Sequence, residues 1–360
     1  GWWSGPDVLF LYQMDEDGAV IDIPKAAINN NFLDLTNILA EDPDFTKDNY
    51  IDGVLESGQF GGRQYLIPTS CDIPLIVSSA EKLKELVFDW NDVETMSDYL
   101  NALAELTPKA KENPSFSHML SSKNYFIPFL MLSGIQLIDY ENGVVLPEEK
   151  DLREFLKAYK SFFPYDYEEN GVPWFYNLGD DRLISGRNVF WFPLDLPGFA
   201  SSVSVMKNKS CDFEIHTILG QQSENTTTLS GTLAINANAE NSLNAYRFIK
   251  FMLSEETQKD PQTLPGYLPI HKECIRKIVS TAPAINANDN MTYDYDHTAL
   301  TTEEAEMVCE MLMDIDRFVH PSPILNNMVF DSMLPYFRDE DSYKNCLDEL
   351  RSKLKFYLSE

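Results

Sequence analysis

The chain has 360 residues, too many for one compact core and enough for two of about 150 each, the size at which single cores stop growing. An apolar fraction of 44%, with 12% aromatic and 24% charged residues, fills packed cores and excludes a disordered chain. The 57 acidic against 28 basic residues give a formal charge of −29, which repels phosphate backbones, argues against nucleic-acid binding and reads as a solvated acidic surface.

Val8-Leu9-Phe10-Leu11-Tyr12 follows Gly5-Pro6-Asp7 as an apolar run and reads as a buried strand of a covered parallel sheet. Phe32 to Leu39 and Tyr50 to Ser57 read as short amphipathic helices, after which Gly58 to Arg63 turns the chain into a strand over Gln64 to Pro68. Ile73 to Val77 is strand-like again. From Ser97, a candidate N-cap, Leu100, Leu103, Ala104 and Leu106 recur at helical spacing. Leu152, Phe155, Leu156, Tyr159 and Phe163 mark a further helix, with Glu148 and Glu149 placed to favour its N-terminus. Gly186 to Phe199 is a strand of large aromatics running into a loop with two prolines. Thr232 to Asn236 reads as a strand, and Leu243, Tyr246, Ile249, Met252 and Leu253 as one helix face. Tyr343 to Leu358 closes the chain as an amphipathic helix. Strands and helices interleave throughout, which gives the α/β class.

The five cysteines, Cys71, Cys211, Cys274, Cys309 and Cys346, are odd in number, scattered and without zinc-site spacing, so they read as small core residues and not as a disulfide framework. No nucleophile elbow, P-loop, HExxH or metal-ligand cluster occurs, so no catalytic residue, metal or cofactor is assigned and the chain is not read as an enzyme. Asp180-Asp181 before Arg182 reads as a solvated turn, and the Asn225-Thr226-Thr227 sequon as a polar loop. No run approaches the ~18 apolar residues of a membrane helix, and the N-terminus carries no signal-peptide pattern, so the sequence reads as a mature or trimmed soluble part.

Several of these stretches, in this order, resemble the bacterial extracellular solute-binding proteins that include maltose-binding protein. Gly5-Pro6-Asp7-Val8 is similar to the family's Gly-x-Pro-Asp-Val/Ile strand, and Gly61-x4-Leu66-x-Pro68 to its approach to the first interlobe crossing. Thr95-Met96-Ser97-Asp98-Tyr99-Leu100 is similar to its Thr-Trp-Asp-Glu-Leu helix start, and Gly186 to Trp191 to its Gly-Lys-x-Ala-Met strand. The most specific match runs from Gly231-Thr-Leu-Ala-Ile-Asn236 through Asn244 to Ser254 and Gln258 to Gly266-Tyr267-Leu268-Pro269. Two departures stand out. The family's first strand-helix-strand before Pro-Asp-Val is missing, and its Tyr-Asn-Lys after the first crossing is replaced by Val77-Ser78-Ser79.

The resemblance implies a two-lobed, type II periplasmic-binding-protein-like fold that lacks that first strand-helix-strand of lobe 1. Lobe 1 would comprise 1–75 plus 232–312, and lobe 2 would comprise 76–231 plus 313–360. It implies crossings near Cys71 to Ile76, Gly231 to Ala234 and Met311 to Val319, with ligand enclosed in the cleft by hinge closure. It further implies a monomer that is extracellular, lipid-anchored or periplasmic and presents its ligand to an ABC permease.

A sugar site needs flat apolar faces for the ring and polar groups for each hydroxyl. The chain supplies candidates for both: Trp174 and Tyr176 in the Pro-Trp-Phe-Tyr loop, Trp191 and Asp195 in the aromatic stretch, Asp72 at the first crossing and Tyr267 after the family-like glycine. The family's stacking aromatic aligns nearer Leu196. A sugar or oligosaccharide is the expected ligand. The alternatives are another small solute, such as a peptide, polyamine or anion, and a carbohydrate-active enzyme using carboxylates such as Asp181 and Asp195.

Overall fold

The computed structural model describes residues 5–12, 22–112, 118–120, 125–168, 188–192, 195–208, 210–259, 268–281, 283–286, 292–298 and 300–359. The chain opens with β1 (Val8–Tyr12) and the short helices α1 (Ile23–Ile28) and α2 (Thr36–Glu41). A hairpin of β2 (Gln59–Phe60) and β3 (Arg63–Gln64), turned by Gly61 and Gly62 with positive φ, leads into β4 (Leu66–Cys71) and then β5 (Leu75–Ser79). Next come α3 (Ala80–Leu86), α4 (Met96–Lys111), β6 (His118–Leu120) and α5 (Phe126–Leu132). The hairpin of β7 (Ile138–Asp139) and β8 (Val144–Val145) precedes α6 (Glu149–Phe163), β9 (Asn188–Trp191) and α7 (Leu196–Asn208).

Strand β10 (Phe213–Thr217) then leads to the long β11 (Thr226–Ile235), α8 (Ser242–Leu253) and α9 (Glu255–Gln258). β12 (Leu268–Pro269), α10 (Lys272–Ser280), the hairpin β13 (Pro283–Asn286) and β14 (Thr292–Thr298), and α11 (Thr302–Met313) follow. The chain ends with β15 (Arg317–Val319), α12 (Pro323–Phe337) and α13 (Tyr343–Ser359).

Two sheets organise these elements. The first has the order β1-β11-β4-β12, with β15 added alongside the start of β11; the second has the order β10-β5-β9-β6. β4 and β5 are successive strands of different sheets, so the chain crosses between lobes at Asp72 to Pro74. The chain crosses a second time into β11, because β10 before it belongs to the second sheet while β11 pairs with β1 and β4 of the first. β15, leading into α12, forms the third.

Every residue of β4, β5 and β11 is buried, because both faces of each strand are covered. The period-two rule then sorts β5: Leu75 and Val77 point into a core shared with α7, α8, α10 and α11, while Ile76 points into a second core with α4, α5, α6, α12 and α13. A smaller cluster of Ala26, Ala27, Phe32, Tyr65, Leu66 and Ala234 fixes α1 on the opposite face of the first sheet. All five cysteines are free, four of them buried.

Local expectations differ from the structure at identifiable points. Phe32 bridges Asn236 in place of starting a helix, so α2 begins only at Thr36. Tyr50 to Ser57 is a set of turns ending in a short 3-10 stretch, held by Ile51 N–H donating to Ile270 O (3.0 Å). The N-cap of α4 is Thr95, whose hydroxyl accepts from Asp98 N (3.2 Å), and Ser97 instead donates to Gln221 Oε1 (2.9 Å). Asn225 of the sequon is buried and donates to Met311 O and Asp314 O, so it anchors the second crossing to the third and is not an exposed loop residue.

Candidate functional site

The first two crossings are tied together by hydrogen bonds. Asp72 N–H donates to Thr228 O (2.8 Å), Thr227 Oγ1 donates to Asp72 O (2.7 Å), and Thr228 Oγ1 donates to the Asp72 carboxylate. Ser230 also lies within hydrogen-bonding reach of that carboxylate, and its hydroxyl contacts Ser70 Oγ at 3.4 Å. Asp72, Thr228, Ser230, Ser70 and Thr69 are all at most 4% exposed, so a ladder of hydroxyls lies inside the hinge.

The ladder needs Gly231. β11 slips register relative to β4 between Leu229 and Thr232, and at Gly231 an added Cβ would stand 2.5 Å from Ser70 Oγ and 2.7 Å from Thr69 Oγ1. Gln258 props the same ribbon from behind. Its Nε2 donates to Thr69 O and Met252 O, and its Oε1 accepts from Ile270 N–H, each at 3.0 Å. Buried and fully engaged, Gln258 has the structural task that its place in the sequence series did not reveal.

Asp195 arrives from the second lobe. It precedes α7 and caps it, with Oδ1 accepting from Gly198 N–H at 2.6 Å and its carbonyl from Phe199 N–H at 3.0 Å. Its carboxylate is close enough to Asp72 to act on it electrostatically. Burial pushes the Asp72 carboxyl up to about 7; the Thr228 and Ser230 hydroxyls pull it down and the Asp195 charge adds to the rise. Burial also raises Asp195, against the Gly198 N–H that favours its charged form. Two carboxyls raised by burial thus lie within electrostatic range of each other, Asp72 at the first crossing and Asp195 at the start of α7, perturbed as functional groups often are.

Trp191 ends β9 and is 1% exposed, packed in the same core as Leu196 and Phe199, with no hydrogen-bond partner for Nε1 among the described residues. It backs the turn that carries Asp195. Trp174, Tyr176 and Tyr267, together with Asp180, Asp181 and Arg182, lie outside the described residues. The structure therefore brings Asp195 within electrostatic range of Asp72, buries Trp191 in the core with Leu196 and Phe199, and adds Thr228, Ser230 and Ser70. Sequence reading passed over these three; the one signal was a run of hydroxyl residues, Thr226-Thr227-Thr228-Leu229-Ser230, ahead of Gly231.

Size does not locate this site. One concavity, about 1040 Å3, lies between α11 and the β10–β11 connection, lined by Asn225, Arg276, Glu306 and Asp314. A second, about 510 Å3, separates α1 and Phe60 from the Gly134 to Asn142 segment, with β15 along it. Neither is walled by Asp72 or Asp195. Among the described residues no group of three or more His, Cys, Asp or Glu is placed to hold a metal ion, and no helix is long and apolar enough to cross a membrane.

Two α/β lobes on three crossings define a two-lobed binding-protein fold, and the chain belongs to the bacterial extracellular solute-binding proteins, whose sequence profile matches residues 10–291. Among solved structures it is similar to the sugar-binding protein MalE of Xanthomonas citri, at 15% identity and TM-score 0.66 over 98% of this chain and 84% of that one. It is similar also to maltose-bound MalE3 of T. maritima (16% identity, TM-score 0.56, 99% and 85% covered). A third is the cyclic alpha-maltosyl-1,6-maltose binding protein of Arthrobacter globiformis (14% identity, TM-score 0.59, 98% and 84% covered). A search of curated proteins finds no match to the sequence.

Proposed function

We propose that the protein captures a sugar or short oligosaccharide outside the cell, without turning it over, and presents it as a monomer to an ABC permease. The observation that carries this reading is the Asp72–Asp195 pair, one carboxyl from the crossing and one from the α7 N-terminus, within a fold shared along 98% of the chain with a sugar-binding protein. Carboxylates are strong acceptors for sugar hydroxyls, and groups held by Thr228 and Gly198 are pre-oriented to receive them. Trp191 supports the turn from below. Trp174, Tyr176 and Tyr267 supply the apolar ring faces in this reading. Residues 1–75 with 232–312 form one lobe and 76–231 with 313–360 the other. The location in this reading is extracellular, on the cell surface through a lipid anchor, or periplasmic.

A thermal-shift series with maltose, maltotriose, other mono- and oligosaccharides, polyamines and peptides tests the assignment. A bound sugar at 100 times its Kd adds about 2.7 kcal/mol of stability, and chromatography recovers it intact. Asp72→Asn and Asp195→Asn each weaken that binding by about tenfold, the loss of one charge-assisted hydrogen bond. Stabilisation by polyamines alone would replace the sugar, and hydrolysis would make the protein an enzyme.

A further inference from the structure

Away from the Asp72–Asp195 pair, a second polar cluster joins the two lobes. Asp22, the N-cap of α1, accepts Lys25 N–H at 3.1 Å with Oδ1. The same carboxylate accepts the hydroxyl of Tyr140, 3.3 Å from both of its oxygens, and the hydroxyl of Tyr357. Lys25 Nζ donates to Tyr357 O at 2.5 Å and lies 4.5 Å from the centre of that ring. Nearby, Gly61 N–H donates to Glu141 Oε1 at 2.7 Å.

The partners belong to different bodies. α1 is fixed to the first sheet by Ala26 and Ala27 against Leu66 and Ala234, whereas Tyr140 and Tyr357 pack on the core of α4, α5, α6, α12 and α13. Each contact is also chemically matched. The Asp22 carboxylate takes two phenol donors, and the Lys25 ammonium sits at the carbonyl end of α13, where a cation is favoured. Tyr140 and Glu141 line the 510 Å3 groove between α1 and the Gly134 to Asn142 segment, so the cluster closes one end of an interlobe space.

We infer that Asp22 and Lys25 with Tyr140 and Tyr357 form an interlobe latch that holds the lobes at the angle of this structure and must break when they rotate. The inference rests on the hinge-bending reading of the fold but not on the identity of the ligand. Rotation about the crossings separates α1 from α13 and from the β7–β8 hairpin, and no residue of the latch belongs to a crossing. Latch and ligand therefore act on one equilibrium from two places, and a ligand that favours the other angle works against the latch.

The test uses the full chain in a Cys211→Ser background, which removes the one cysteine that is not buried, with nitroxide labels at Leu243→Cys on α8 and Lys344→Cys on α13, and pulsed electron–electron distance measurement. The wild-type distribution contains the distance of this structure. Tyr140→Phe/Tyr357→Phe, which removes only two hydroxyls, lowers the population at that distance about tenfold relative to the alternative, and Asp22→Asn, which keeps an N-capping side chain, shifts it in the same direction. Melting curves and circular dichroism establish that each variant is folded. A distribution unchanged in both variants, or a wild type without the distance of this structure, overturns the latch. Because no ligand enters the measurement, its failure is separate from any failure of the sugar assignment.

Discussion

At the residue scale, Asp72 concentrates the cost and the use of the hinge. Its carboxyl is 4% exposed and pushed up to about 7, above the ~3.9 of an unfolded aspartate. The native state therefore holds a proton that the unfolded state has already released between those two values. Asp72's contribution to stability is complete below about pH 4 and disappears as pH rises through 7. Asn imitates the protonated form, so Asp72→Asn and wild type have similar stability near pH 4. Near pH 8 the variant is the more stable by at most about 4 kcal/mol, read from urea unfolding at each pH. A difference that shrinks as pH rises would refute the environment described for this group. A variant more stable yet weaker in ligand binding is the trade expected where a strained group serves recognition.

At the element scale, β11 is the piece on which the lobes depend, and Gly231 is where it is most exacting. Gly231→Ala introduces a Cβ against Ser70 Oγ and Thr69 Oγ1 and lowers stability by about 1–3 kcal/mol. Ser70→Ala removes the nearer obstacle, so the double variant recovers part of the loss, and a double-mutant cycle measures the coupling. Additive losses would mean that the clash lies elsewhere.

The same strand shows what the sequence made legible. α13 could be read because an unbroken helical face carries its own period, whereas β1 was found in place but is a half-exposed strand antiparallel to β11, with Phe10 44% exposed, and not a buried strand of a parallel sheet. β4 and β5 were found but misplaced by about two residues, since strands buried on both faces have no alternation to mark their ends. Asp72 was visible from its place at the crossing. Its partners Thr228 and Ser230 were not, because their proximity is created by β4–β11 pairing across more than 150 residues and by a register slip that no local pattern encodes.

At the scale of the whole molecule, two cores, one holding α7, α8, α10 and α11 and the other α4, α5, α6, α12 and α13, are joined by three crossings, which makes the interlobe angle the softest coordinate of the fold. Saturating ligand reduces the radius of gyration measured by small-angle scattering, and in an Asp72→Asn/Asp195→Asn variant the same change needs about a hundredfold more ligand. An unchanged radius despite demonstrated binding would mean that the lobes are already at the ligand-bound angle.

The hydrogen bonds from Asp72 N–H to Thr228 O and from Thr227 Oγ1 to Asp72 O have one further mechanical meaning. Two separate linkers would let one lobe swing, slide and twist against the other. Linkers laced edge to edge resist shear between them and leave torsion of the ribbon as the easy motion. The protein therefore works as a torsion bar, on which a contact at any radius is converted into the same single angle.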